Sequence, residues 1–438
     1  MTHFSVDSTD PIAGSEHSEE ESRAASSRRR SGEADGTSAE GGVVKRRDVP
    51  SSSRPRSGEA GDVPSARRDL LKTAVGLAGG AALAACSKPS APETRDDATR
   101  VAPITWRAQA HVTSGTISYE MFLEFCSNVA EFSNGKLVIE PHGAGEVVPT
   151  LKIFDAIQSG RLDMASTSPT YPAETYPGMA FLASYPLGLD RPDQWETWYF
   201  QLGGLDLARR MYEPHGIFFL APLQHDFNII HSRVPIRSFE DFKGKTIRMP
   251  GGMIADVFVA AGAKTVFVAG DQIYPGLESG ALDAADNLGP ASNYNLGFAN
   301  VAKYIIRGPR GTRTIHQPVD LHSVQIHLPR WRALPKHLQE VLEYASRRYS
   351  WDHFARVQKE NILAWEKFEE KGVEIIELTD ADVEKLRKVA IPLWFKWAKM
   401  DPLGREAFAS QLEYMKNPSV AYLTDDMLVD ARGQKLTL

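Results

Sequence analysis

Arg248 is the residue whose type and setting most clearly suggest chemistry. It lies in an apolar, strand-like stretch at 246–249, directly before a Pro-Gly-Gly turn at 250–252. The guanidinium presents a planar fork of N–H donors that matches a carboxylate, and glycines let a ligand approach the backbone closely. Spacing alone also fits, and even favours, a plainer interpretation in which Arg248 is exposed at a strand end and pairs with a nearby acid.

Enzymatic chemistry has less support. Histidines 316, 322 and 327 suggest a zinc site at first sight. In a strand from 319 to 328, however, His322 and His327 point to opposite faces, which argues against a shared ion. The chain also lacks a nucleophile elbow, an HExxH motif and a spaced Cys/His set. A binding protein that is not an enzyme is therefore preferred, and an exported hydrolase or metalloenzyme on a similar two-lobed scaffold is the alternative.

The elements that must position Arg248 alternate between strand and helix after residue 102, which predicts an α/β fold. Ligand sites in such sheets lie beyond the carboxyl ends of strands, so the strand ending at Thr167 would display Ser168 and Tyr171. Tyr171 would then either contact the ligand or simply lie half-buried in a loop. The predicted strands are 104–110, 137–141, 162–167, 246–249, 265–268 and 284–285, and the predicted helices are 118–132, 149–159, 254–261 and 271–279.

Two segments have the same pattern. LKIFDAIQSGRLDMAST at 151–167 and DQIYPGLESGALDAADN at 271–287 each combine a short helix, Ser-Gly and a strand that begins with Leu-Asp. Duplicated α/β lobes predict a two-lobed fold with a ligand in the cleft between the lobes. The formal charge of -6 and the 42% hydrophobic content indicate a globular body and argue against nucleic-acid binding.

The N-terminal region predicts export. Paired arginines at 67 and 68 precede an apolar run, 70–85, that is too short to span a bilayer, and the run ends at Cys86 in Leu-Ala-Ala-Cys. This pattern resembles a twin-arginine lipoprotein signal, which implies that Cys86 is lipidated and that the protein is a membrane-anchored periplasmic lipoprotein. A buried helix after a basic linker is the alternative. The predicted segments are a disordered leader at 1–64, a signal peptide at 65–85 and a lipidated linker at 86–102.

Three motifs carry a family resemblance: PHGAGEVVPTLKIFDAIQSGRLDMA, RSFEDFKGKTIRMPGG and DQIYPGLESGALDAADNLGP. Together they resemble the substrate-binding proteins of tripartite ATP-independent periplasmic (TRAP) transporters, in particular the 2-oxoacid and lactate-binding subgroup. The resemblance implies that Arg248 forms a two-point salt bridge with a substrate carboxylate. It also implies a two-lobed, periplasmic-binding-protein-like fold. A protein of this kind would deliver a small organic anion to membrane subunits of the transporter. The expected divisions are a first lobe at 103–225, a second lobe with crossover strands at 226–330 and a helical C-terminal region at 331–438.

The same subgroup uses a metal ion to bridge protein and ligand, but this chain departs from the pattern. Asp286 and Asn287 stand where the family has an acidic residue and Trp, and Gln317 stands where it has Glu. Asn228 lies near the position of a family Gln. These oxygen donors would suit sodium or calcium, although a site with one carboxylate favours the monovalent ion or no metal at all.

A long helical pattern extends from 335 to 371. Subgroup members use such a helix in dimerisation, which implies a homodimer here, whereas packing on its own chain is the alternative. The sequence does not identify the ligand. A 2-oxo or 2-hydroxy monocarboxylate is the prediction.

Overall fold

The computed structural model describes residues 102–311, 314–420 and 423–438. They form a mixed α/β structure with two sheets and a helical C-terminal region, so the predicted fold class is confirmed. The predicted leader, the signal peptide and Cys86 lie outside the described residues. Among the described helices, none combines the length and apolar character needed to cross a membrane.

The strands follow the alternating pattern of the sequence. In chain order they are β1 (Ile104–Ala110), β2 (Leu137–His142), β3 (Met164–Thr167), β4 (Ile217–Asp226), β5 (Ile229–Ser232), β6 (Thr246–Arg248), β7 (Lys264–Val266), β8 (Ala284–Asn287), β9 (Tyr304–Arg307), β10 (Asp320–His327) and β11 (Glu374–Glu377).

The helices cover the sheets and form most of the C-terminal region. They are α1 (Ile117–Phe132), α2 (Ile153–Gln158), α3 (Pro192–Gln201), α4 (Gly204–Tyr212), α5 (Gly252–Ala260), α6 (Ile273–Ser279), α7 (Pro290–Asn295), α8 (Phe298–Val301), α9 (Leu328–Ala333), α10 (Lys336–Glu370), α11 (Asp380–Ala398) and α12 (Pro402–Met415).

The two sheets have related topologies. The first has the order β2-β1-β3-β10-β4, with β1 parallel to β2 and β3, and β10 antiparallel to both neighbours. The second has the order β11-β9-β5-β8-β6-β7, with β6 parallel to β7 and β8, and β5 antiparallel to both neighbours. Each sheet therefore contains parallel strands whose carboxyl ends share one edge.

The repeated sequence segments form equivalent structures. In each, a short helix leads into a strand, α2 into β3 and α6 into β8. The Asp163 carboxylate accepts a hydrogen bond from the backbone N–H of Arg107 at 2.8 Å, and the Asp283 carboxylate accepts one from that of Thr246, also at 2.8 Å. The Leu-Asp dipeptide of each repeat therefore ties the start of a strand to its parallel neighbour.

Helix α1 shows how local sequence determines these elements. The Thr116 side chain caps its first turn by accepting a hydrogen bond from the backbone N–H of Tyr119. Its buried face carries Met121, Phe125 and Val129, at the spacing of one helical face, and packs against the first sheet. Cys126 is a free thiol buried on the same helix.

The chain passes between the sheets at two neighbouring places. Strand β4 ends at Asp226 and β5 of the other sheet begins at Ile229, whereas β9 of the second sheet is followed by β10 of the first. The two crossing segments are joined because the backbone N–H of Asn228 donates to the carbonyl of Gln317 at 3.1 Å. Two residues predicted from the sequence therefore lie together at the connection between the lobes.

Helix α10, 35 residues long, contacts both lobes. Ser350 accepts a hydrogen bond from the backbone N–H of Gln224 in β4. Farther along the helix, the Asn361 carboxamide donates to Asp226 and accepts from the backbone N–H of Ala291 in α7. This part of the C-terminal region is therefore built across both lobes.

Candidate functional site

The predicted binding residues lie where the carboxyl ends of parallel strands from both sheets meet. Ser168 follows β3 of the first sheet, whereas Arg248 ends β6 and Asn287 ends β8 of the second. They line one small cavity, of about 30 Å³, together with Tyr171, Asn228 and Gln317. Its location agrees with the rule that ligands bind beyond the carboxyl ends of strands in α/β folds.

A larger cavity, of about 500 Å³, lies beside the crossing segments. Apolar residues such as Leu187, Ile315 and Phe354 contribute much of its wall, and its charged groups are Asp190, Asp226 and Arg387. Several polar groups converge on the small cavity instead, as recognition of a small polar ligand requires. The small cavity is therefore the better candidate for the functional site.

Arg248 is buried and held by three hydrogen bonds. Its Nη1 donates to the carboxylate of Asp286 at 2.8 Å and to the backbone carbonyl of the same residue at 2.8 Å. Its Nε donates to the carbonyl of Val268 at 3.2 Å. Only 3% of Arg248 is exposed. The plainer interpretation of the sequence was therefore right about an acidic partner, but the pair is buried rather than exposed.

Asp286 is the counter-ion of this arginine. Its second carboxylate oxygen lies 2.6 Å from Nε2 of His316, whose Nδ1 lies 2.9 Å from the hydroxyl of Thr314. Asp286 and His316 are fully buried. The structure thus directs both oxygens of Asp286 to protein partners, where the sequence predicted that they would face an ion.

Asn228 and Gln317 form a chain of amide hydrogen bonds that leads to Asp320. Nδ2 of Asn228 donates to Oε1 of Gln317 at 3.0 Å, and Nε2 of Gln317 donates to the Asp320 carboxylate at 3.0 Å. The remaining amide oxygen, Oδ1 of Asn228, is buried without a hydrogen-bond partner. An unsatisfied buried acceptor in a cavity wall marks a place where a ligand donor or a cation would be stabilised.

The two lobes approach each other closely at Tyr171 and at Gly251. The Tyr171 ring meets the ring of Phe267, from the second lobe, edge to face with 5.7 Å between centroids. Burial raises the pKa of Tyr171 to about 12, so its hydroxyl stays protonated at neutral pH. Gly251 has a φ of 79°, which favours glycine, and a Cβ there would lie 3.1 Å from the Glu174 carboxylate.

Ser168 lines the cavity, but its hydroxyl also bonds to that of Thr170 at 3.0 Å.

Sequence reasoning missed a group of buried histidines next to the cavity. His111 and His322 line it, with ring centroids 4.1 Å apart, and the ring of His225 stacks on that of His322. Burial, together with His225 nearby, lowers the pKa of His111 to about 4, and the pKa of His322 lies well below its ordinary value for the same reasons. Both rings are therefore neutral at physiological pH. The spacing of Asp320 and His322 on one strand face was the available signal.

Asp320 is the acidic residue of this group. Burial raises the pKa of its carboxyl, but His322 and His225 beside it lower that pKa more, so it lies well below its usual range. His327, on the same strand, contacts the carbonyl of Ile157 instead. His322 and His327 thus contact different parts of the protein, as their spacing predicts.

The oxygen donors predicted for sodium or calcium are mostly engaged elsewhere. The Asp286 carboxylate is held by Arg248 and His316, and Oε1 of Gln317 accepts a hydrogen bond from Asn228. Of the predicted side-chain oxygens, only Oδ1 of Asn228 is both buried and unpartnered. This arrangement does not fit the predicted oxygen-rich site.

Known proteins resemble this chain in sequence and in fold. A monocarboxylate 2-oxoacid-binding periplasmic protein of Nostoc sp. is 26% identical over 367 residues, which cover 80% of this chain and 94% of that protein. The apo, open structure of a TRAP periplasmic solute-binding protein from Rhodobacter sphaeroides is 26% identical, with a TM-score of 0.55, and covers 72% of this chain and 99% of its own.

A structure from Pseudoalteromonas atlantica shares the fold. This TRAP periplasmic solute-binding protein, with bound sodium and pyruvate, has a TM-score of 0.65 and 22% identity, and the match covers 72% of this chain and 94% of that chain. The family model of DctP, the bacterial extracellular solute-binding proteins of family 7, matches residues 109–400. The chain therefore belongs to the DctP family of TRAP transporter solute-binding proteins.

Proposed function

We propose that this protein captures a small monocarboxylate, of the 2-oxo or 2-hydroxy acid class, and delivers it to the membrane subunits of a TRAP transporter. The observation that carries the proposal is a buried arginine in a cavity between two lobes. A buried guanidinium is a strong and directional partner for a carboxylate, because water competes weakly there. The Nostoc relative supports the ligand class by its described specificity.

Arg248 is the residue proposed to hold the carboxylate. Nε donates to Val268 and Nη1 donates twice to Asp286. These three bonds do not use the hydrogens on Nη2. A two-point salt bridge through both terminal nitrogens would require Nη1 to exchange an Asp286 contact for a ligand contact. The amide oxygen of Asn228 would accept a hydrogen bond from a hydroxyl on the ligand.

Binding requires movement of the lobes or of the side chains around the cavity. The cavity of about 30 Å³ has room for about two water molecules, which is less than a three-carbon acid needs. A ligand that contacts both lobes would favour the closed arrangement by those contacts. Tyr171 is proposed to close over it, because its ring already reaches Phe267 across the cleft.

The proposal also includes the cellular setting. Cys86 is the proposed lipid-anchored first residue of the mature protein, placed in the periplasm close to the transporter. The protein is proposed to form a homodimer through helix α10, because the apolar side chains of Tyr344 and Ile362 on this helix are 75% and 67% exposed. A sodium or calcium ion with the ligand stays a prediction, supported by the unpartnered oxygen of Asn228 and by related structures that hold sodium or calcium together with pyruvate.

Calorimetric titration with matched ligands tests the function. Pyruvate and lactate should bind saturably at one site per chain, whereas lactamide, which lacks the carboxylate, should bind at least tenfold more weakly. Nuclear magnetic resonance of the recovered ligand should show it unchanged, whereas conversion would support the enzyme alternative. Absence of binding by a panel of 2-oxo and 2-hydroxy acids, or equal binding of lactamide, would refute the carboxylate assignment. Repeating the titration with added sodium or calcium tests the ion.

A further inference from the structure

A cluster of buried side chains lies directly beside the cavity and is not used by the proposed carboxylate clamp. His225 of β4 and His322 of β10 stack with ring centroids 3.4 Å apart. Oδ2 of Asp320 lies 3.1 Å from Nδ1 of His225 and 3.1 Å from Nε2 of His322. All three residues are at least 95% buried. Two imidazole nitrogens and a carboxylate oxygen thus converge on one point away from bulk water.

We propose that His225, Asp320 and His322 bind a divalent transition-metal ion, with Zn²⁺ as the simplest candidate. One atom from each side chain lies within 4.8 Å of the other two. Two ligands of a tetrahedral zinc ion lie roughly 3.3 Å apart at its usual bond lengths, so small side-chain rotations would form the site. Nitrogen donors distinguish it from the sodium or calcium site predicted with Asp286, because those ions prefer oxygen.

The surroundings of the cluster support this assignment. Nε2 of His225 lies 2.9 Å from the hydroxyl of Ser118, which leaves Nδ1 toward Asp320, the usual arrangement for a metal-binding histidine. Nδ1 makes no hydrogen bond of good geometry although it is buried, so a metal bond would satisfy it. The other carboxylate oxygen of Asp320 accepts the hydrogen bond from Gln317, which orients it.

The balance of formal charge points the same way. The buried region around the cavity holds one guanidinium, Arg248, and the carboxyl groups of Asp286, Asp320 and Asp226. An anionic ligand would add a further negative charge to this region. Unbalanced buried charge is costly, and a divalent ion beside the pocket would offset it. The site could therefore supply the cation that the Asp286 arrangement does not.

Titration of chelator-treated full-length protein with Zn²⁺ alone tests the proposal, with Co²⁺ absorption as a second readout of nitrogen coordination. One ion should bind per chain, and His225→Gln should weaken this binding at least tenfold. His327→Gln is the matched control, because His327 lies on the same strand as His322 but contacts Ile157. If His225→Gln fails to fold, as judged by circular dichroism, Asp320→Asn provides the same comparison.

Two results would overturn the proposal. One is no binding of Zn²⁺ at 100-fold excess by folded protein, as expected if two neutral imidazoles simply share the carboxylate. The other is equal binding by unmodified protein and His225→Gln, which would place the ion elsewhere on the chain. Because the titration contains no carboxylate ligand, its outcome is independent of whether the protein binds pyruvate or lactate.

Discussion

The substitution Asp286→Asn distinguishes between two roles of the Asp286 carboxylate, as a ligand of a metal ion and as the counter-ion of Arg248. The sequence assigned Asp286 to a metal ion, whereas in the structure it accepts hydrogen bonds from Arg248 and from His316. Arg248 is 3% exposed and Asp286 fully buried, so the variant leaves a buried guanidinium without its directly paired carboxylate. Breaking such a pair costs roughly 3–5 kcal/mol. Because asparagine keeps an acceptor oxygen, we expect a loss near the lower limit, about 3 kcal/mol of unfolding free energy.

A carboxylate ligand should partly compensate for this loss. It would bring a negative charge to Arg248 in the variant, and a hydrogen bond to a charged group contributes about 1.5–3 kcal/mol. Urea unfolding with and without saturating pyruvate should therefore show a larger stabilisation by ligand in Asp286→Asn than in unmodified protein. Arg248→Lys is the paired variant, which keeps the charge but loses the planar fork, so it should weaken carboxylate binding by roughly ten- to a hundredfold.

A free energy of unfolding for Asp286→Asn within about 0.5 kcal/mol of that of the unmodified protein would refute this role of Asp286. The role would also be refuted if sodium or calcium tightened ligand binding in the unmodified protein but not in the variant, and the variant were otherwise unchanged. That result would make Asp286 an ion ligand. Unchanged affinity in Arg248→Lys would refute the carboxylate clamp itself.

Three further predictions concern other parts of the chain. Burial lowers the pKa of His231 to about 3, so the native state excludes a proton that the unfolded chain binds near pH 6.5, and stability falls as pH drops between these values. Between pH 7 and pH 5, the free energy of unfolding in urea should fall by about 2 kcal/mol more in unmodified protein than in His231→Leu, and an equal fall in both would contradict this. Cys86→Ser should release the protein from membrane fractions, whereas unchanged retention without lipid on Cys86 would count against the anchor. Tyr344→Glu with Ile362→Glu should convert a dimer to a monomer in sedimentation, and an unchanged sedimentation coefficient would exclude this face of α10.

Periodic local patterns allowed much of the fold to be predicted. The strand predicted at 104–110 has the same bounds in the structure. The helix predicted at 118–132 begins one residue earlier in the structure because Thr116 is its cap. The lobe boundary near residue 226 and the crossover strands were expected from the family resemblance, since no local pattern records that a chain changes sheets at Phe227 and Asn228. Strand β11, at Glu374–Glu377, was missed within a region that is otherwise helical.

Site residues were predicted where a motif carried them and missed where only folding brings them together. Arg248 lies within a predicted strand, Ser168 and Asn287 lie just after predicted strands, and all three line the cavity. His225 and His322 come from different strands, 97 positions apart in the chain, and no periodicity connects them. The partners of Asp286 were also unpredictable, because His316 reaches it from a crossing segment.

The position of the cavity explains how binding could be coupled to lobe closure. Asn228 and Gln317 belong to the two segments that connect the lobes, and they bond to each other in the wall of the cavity. A ligand there would contact the connecting segments themselves as well as Arg248 in one lobe and Tyr171 in the other. Contacts made only when these groups converge stabilise the closed state relative to the open one. Parting of the lobes would remove several of them at once, so a site at the crossing links release of the ligand to opening.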